Sequence, residues 1–192
     1  MEINTHSEEP YRDGKDSYNY GCMDSIDDFF SYAESYKKAG DILVEWVEKQ
    51  KGLADSVIHP LCFLYLQYLE LTLKSIIIDC GVCLGKPENP EPTHKISNHW
   101  ETCKMLLEKT YGEDFLNEIS EIDKRIQKFL SIAPSRETFA FRYPISKGQK
   151  PKPSFPKQHY VNVRLLGEEI HEIWKFFFGI SNDIADRMRS TP

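Results

Sequence analysis

Apolar residues recur at helical spacing along most of the chain. The first run is Ile26, Phe29, Phe30, Ala33, Tyr36, Ile42, Leu43, Trp46 and Val47. It predicts a helix opening at Asp24-Ser25-Ile26, where Asp or Ser can cap free amides, bent or split by Gly40 and stopped at Gly52. The second predicted helix begins between Asp55 and Pro60 and runs to about Asp79, with Pro60 expected in its first turn. It is apolar around most of its circumference, which predicts a place at the centre of a bundle. Gly81, Gly85, Pro87, Pro90 and Pro92 then break the pattern.

Thr93 is the candidate cap of a third helix through His94, Ile96, Trp100, Cys103, Leu107 and Tyr111, interrupted at Gly112. Phe115, Ile119, Ile122, Ile126 and Phe129 mark a fourth, ending near Ala133-Pro134. Residues 134–160 break the periodicity. Phe139, Phe141 and Tyr143 alternate with Ala140 and Arg142, which predicts a short extended piece. A proline-rich loop follows, made basic by Lys147, Lys150, Lys152 and Lys157. The last helix is expected from Val161 to about Met188, with Val163, Leu166, Ile170, Ile173, Trp174, Phe177, Ile180 and Ile184 on its apolar face. The pattern predicts an all-α bundle of about five main helices, with a long irregular connection before the last. It divides into an arm at 1–23 and a helical domain at 24–188.

Composition narrows the functional classes. With 40% hydrophobic and 28% charged residues the chain has an ordinary globular balance. Its formal charge of -6 excludes a surface that coats nucleic acid throughout, so any such contact is local. Gln67, Glu70 and Lys74 interrupt the longest apolar run, Leu61 to Ile78, which argues against a membrane span. Residues 1–23 carry no apolar leader pattern. The expected location is cytoplasmic, with Cys22, Cys62, Cys80, Cys83 and Cys103 as reduced thiols.

Two groups of residues carry candidate chemistry. Arg164 and His171 lie seven apart in the last helix, almost two turns, and so share a face with Glu168 and Lys175. A cation and an imidazole placed this way suit metal-free RNA cleavage. His171 would move a proton at the attacking 2′-hydroxyl or the leaving oxygen, and Arg164 would stabilise charge developing on phosphorus. The competing reading is a solvated face with an Arg164–Glu168 ion pair. In the central helix, Glu70 and Lys74 have the spacing of an ion pair, with Gln67 on the same stripe. His94 and Arg142 are expected to join them, because a polar stripe on a buried helix needs partners. Phe141-Arg142-Tyr143-Pro144 sets a guanidinium between two aromatics, able to stack and still grip an anion. Cys80-Gly-Val-Cys83, with His94, His99 and Cys103, is a poor zinc pattern, split by a proline-rich loop. No metal and no cofactor are expected.

Glu70-Leu-Thr-Leu-Lys74, Thr93-His94 and Phe141-Arg142-Tyr143-Pro144 together resemble a bacterial subgroup of HEPN-like domains (the higher eukaryotes and prokaryotes nucleotide-binding superfamily), over about residues 55–185. The resemblance implies a helical bundle, often a homodimer, from toxin or phage-defence settings. It implies a metal-independent endoribonuclease with Arg164 and His171 as its catalytic pair, or an RNA- or nucleotide-binding relative using Glu70, Lys74, His94 and Arg142. The residue after the arginine is Leu165, where active members often carry a polar side chain. Other members act as non-catalytic dimerisation or interaction modules, which implies a second copy or a protein encoded nearby as partner.

Overall fold

The computed structural model describes residues 28–50, 53–132, 139–145 and 150–190. Helix α1 spans Phe29–Gln50, α2 Ala54–Cys83, α3 Ile96–Tyr111, α4 Leu116–Leu130, α5 Phe139–Arg142 and α6 Val163–Ser190. The fold is all-α, with five long helices and one four-residue helix inside the connection among the described residues. Residues 1–27, and with them the arm and the Asp24-Ser25-Ile26 start, lie outside the described residues.

Helix α2 is the hub. Leu61, Leu66, Leu69, Leu73, Ile76 and Ile77 are all buried, and α1, α3, α5 and α6 pack around them. Its length and composition would suffice to cross a membrane, but here it is the core helix of the bundle. It begins at Ala54, so Pro60 sits in its second turn rather than its first. The amide that Pro60 lacks would have bonded the carbonyl of Ser56, and exposure of this edge lets water serve that oxygen.

Asp28 caps α1. Its carboxylate accepts from the amides of Phe30 at 2.9 Å and Ser31 at 3.2 Å and from the Ser31 hydroxyl at 2.6 Å. Gly40 neither bends nor splits α1, which runs through it unbroken. The glycine is there for contact: a Cβ at this position would overlap the ring of Tyr65 on α2. Tyr65 in turn donates to Asp41 at 3.0 Å, and Asp41 pairs with the buried Lys37 at 2.6 Å.

Thr93 is not the cap of α3. The helix starts three residues later, and the Thr93 hydroxyl accepts from the Lys95 amide at 3.2 Å in the turn before it. The Thr93 carbonyl meets Nε2 of the buried His99 at 2.9 Å. Gly112, at φ 84°, ends α3, and a 3-10 turn at Glu113–Phe115 leads into α4. Trp100 ties the two helices together by donating to Asp123 at 2.6 Å.

The expected extended piece at 139–143 is helical instead. A strand would point Ala140 and Phe141 to opposite sides. Both are buried, and a single helical turn allows that where the segment packs on α2. The chain then forms one antiparallel bridge, Ile145 to Pro153. Asn162 opens α6 by accepting from the Leu165 amide at 3.0 Å. Val163, Leu166, Ile170, Ile173, Phe177, Ile180 and Ile184 form its buried stripe, so α6 keeps its opposite face toward solvent.

Candidate functional site

Arg164 and His171 stand on that outer face of α6, both exposed. Arg164 is 58% exposed and its guanidinium lies 2.5 Å from Glu168. Lys175, one turn beyond His171, pairs with Glu172 at 2.7 Å and holds that carboxyl below its usual range. An ion pair this exposed contributes little, so a competing phosphate displaces it at small cost.

His171 has a neighbour that the helical pattern alone did not mark. Its ring stacks on Trp174 with centroids 5.2 Å apart, and Trp174 stacks on Phe178 at 4.9 Å. Phe178 meets Phe30 of α1 at 6.4 Å. Four rings thus form a ladder along the seam between α1 and α6. Trp174 looks like an apolar-face residue in the sequence, but it is only half-buried at the edge of that face. It donates to Glu34 at 2.9 Å, and Lys37 sits 5.0 Å from its ring centroid. Successive rings of this kind offer a platform on which nucleobases can stack.

The second constellation lies on α2. Glu70 is 2% exposed. Its Oε1 accepts from Lys74 Nζ at 2.7 Å and meets His94 Nδ1 at 3.0 Å. The two partners differ in setting: the Lys74 side chain is almost enclosed, whereas that of His94 is 78% exposed. Glu70 Oε2 is buried and has no hydrogen-bond partner among the described residues. A buried polar atom without a partner is costly.

Arg142 does not join this cluster. Its guanidinium lies 5.7 Å from the ring centroids of both Phe63 and Tyr143. Phe63 precedes Glu70 by seven residues on the same face of α2, so Arg142 sits about 10 Å further along that stripe. The reason is where α5 docks: it packs against α2 and presents Arg142 to solvent rather than to the carboxylate. Three of the four residues expected together therefore meet directly, and the fourth marks the other end of the same stripe.

The CxxC pair is part of the helix end. Cys80 is buried and Cys83 partly so, both as free thiols, and burial raises the Cys80 thiol to about 11. Of the basic loop, Lys147 lies outside the described residues, while Lys150, Lys152 and Lys157 are exposed.

No family model, curated protein or solved structure matches the chain.

Proposed function

We propose that the chain is a HEPN-like domain of the toxin or phage-defence type, cytoplasmic, that engages RNA through the outer face of α6 and cleaves it without metal as a symmetric dimer. The observation that carries this reading is the open pairing of Arg164 and His171 on one helix face, with His171 at the head of the aromatic ladder. A base stacked on the end of the ladder at His171 would bring a phosphodiester alongside that imidazole. His171 then takes the 2′-hydroxyl proton as the oxygen attacks phosphorus, and Arg164, released from Glu168, stabilises the charge that develops. One such face is shallow and wet. Two faces across a twofold axis exclude water and supply a second imidazole to protonate the leaving 5′-oxygen. On α2, the exposed His94, held by the buried Glu70–Lys74 pair, and the planar fork of Arg142 suit a phosphate.

The test is incubation of the purified protein with labelled RNA, with and without chelator, beside sedimentation. Cleavage that resists chelator and is lost in folded, dimeric Arg164→Ala and His171→Ala variants supports the reading. Cleavage that survives both substitutions removes these residues from the mechanism.

A second reading, a non-catalytic interaction module, is favoured by α1. Tyr32, Ile42 and Trp46 are exposed on one side of that helix, Ile42 by 57%, and offer an apolar stripe to a partner. A wild type that binds no RNA yet self-associates would select it.

A further inference from the structure

A cavity of about 350 Å³ lies between the start of α2 and the loop that precedes α6. Its walls combine two kinds of chemistry. Phe155 and Phe141 form an aromatic floor, with ring centroids 5.1 Å apart. His59 and His159 each meet the Phe155 ring in a T-shaped arrangement, with centroids 5.5 and 6.2 Å away, so one ring gathers two imidazoles. Lys157 completes the basic rim. His59, Lys157 and His159 are all exposed, and among the described residues no carboxylate lines the cavity. In a chain of net charge -6, this rim gathers basic side chains in one place.

The wall is anchored. The Ser154 amide donates to the Pro144 carbonyl at 2.9 Å, and its hydroxyl donates to the Tyr143 carbonyl at 2.6 Å. These bonds, with the Ile145–Pro153 bridge, fix the residue before Phe155 against the end of α5. Beneath the floor, Cys62 is fully buried and burial pushes its thiol up to about 12, so it packs and does not react.

We propose that this cavity binds a nucleotide bearing a terminal phosphate, with the base against Phe155 and Phe141 and the phosphate held by Lys157, His159 and His59. Two aromatic rings in the wall, tilted 56° to each other, call for a ring between them, and the basic rim calls for an anion beside it. The volume lies at the lower end of small-ligand pockets, which run from roughly 300 to 1,000 Å³, and so suits one nucleotide rather than a folded RNA. That chemistry has two sources, a free nucleoside monophosphate and the phosphorylated end of an RNA strand. The site is separate from α6 and does not depend on cleavage by Arg164 and His171.

Isothermal titration of the full chain with AMP, with inorganic phosphate and with a short 3′-phosphorylated RNA tests it. Binding of AMP assigns the free nucleotide and binding of the oligonucleotide alone assigns the RNA end; either supports the site. Lys157→Gln and His159→Gln change exposed side chains and are each expected to weaken binding roughly tenfold, about 1.4 kcal/mol. Phe155→Leu, checked for folding by circular dichroism, is expected to weaken AMP but not inorganic phosphate. The proposal is overturned if neither AMP nor the oligonucleotide binds at millimolar concentration. It is equally overturned if Lys157→Gln and His159→Gln bind like the wild type, or if inorganic phosphate binds as tightly as AMP. Loss of RNA cleavage in Arg164→Ala with AMP binding intact separates this site from the one on α6. Cleavage without nucleotide binding sinks this inference and leaves that one standing.

Discussion

Trp174 on α6 donates its indole N–H to Glu34 on α1 at 2.9 Å, joining two helices 140 residues apart in the chain. The bond also sets the indole plane on which His171 stacks. Glu34→Ala is expected to cost about 1 kcal/mol in urea denaturation, as for a lost hydrogen bond to a charged acceptor at a half-buried site. It should also shift the His171 imidazole resonances in an NMR spectrum. An unchanged His171 signal would mean that packing, not this bond, orients the ring.

Glu70 and Lys74 form a pair shielded from water, and such pairs are felt most when halved. Lys74→Met leaves a buried carboxylate with only His94 and is expected to destabilise the protein by about 3–5 kcal/mol. Glu70→Leu together with Lys74→Met should recover most of that loss, because no buried charge remains. His94→Ala, which removes an exposed partner, should cost less than about 1.5 kcal/mol. Denaturation of the wild type, Glu70→Leu, Lys74→Met and the double variant closes a cycle; additive single costs would refute the coupling.

Two glycines in helices predict opposite outcomes. Gly40→Ala gains helix propensity of about 1 kcal/mol, but its Cβ collides with Tyr65, so a net loss of about 1–3 kcal/mol is expected. Gly179→Ala on α6 meets nothing within 4 Å and should stabilise by about 0.5–1 kcal/mol. Thermal melts of both variants check the signs.

Glu169 on α6 joins α4 through Lys128, at 2.9 Å, and through Arg125. The Lys128 ammonium above all, with Arg125 adding to it, holds this carboxyl below its ordinary range against partial burial. A folded value below the unfolded one means the pair stabilises the protein above the unfolded carboxylate pKa of roughly 4.3. That contribution fades as pH falls through the depressed folded value. Glu169→Gln should therefore be less stable at pH 7, by about 0.2–1 kcal/mol given its partial exposure. The two proteins should converge in acid denaturation once the pH lies beneath both values.

Long amphipathic stretches were readable because burial repeats with the helical period. The stripe of α6 from Val163 to Ile184 and the all-round apolar character of α2 both translate directly into packing. Helix starts were less readable. Thr93 has capping chemistry, but its hydroxyl serves the Lys95 amide in the turn before α3, and the helix starts only at Ile96. Residues 139–142 misled for a related reason: a period of two over five residues also fits a single helical turn. At the candidate sites, Glu70 and Lys74 were legible as an i, i+4 pair, and His94 joins them from outside the helix. Arg142 was placed too near because a sequence does not reveal where along a partner helix a short element docks. The pocket of His59 and His159 left no local trace, since its two imidazoles come from opposite ends of the domain and meet only across Phe155.

The buried thiols make the protein its own recorder of breathing motions. Cys62, Cys80 and Cys103 are fully buried, two of them on α2 and one on α3, and burial raises all three thiols. A thiol reagent reaches them only when the surrounding helices part. Their modification rates in native buffer therefore time the opening of the central layer residue by residue, with no probe introduced. Slow, matched rates would show α2 and α3 parting as one unit, and a faster Cys80 would show the end of α2 fraying first.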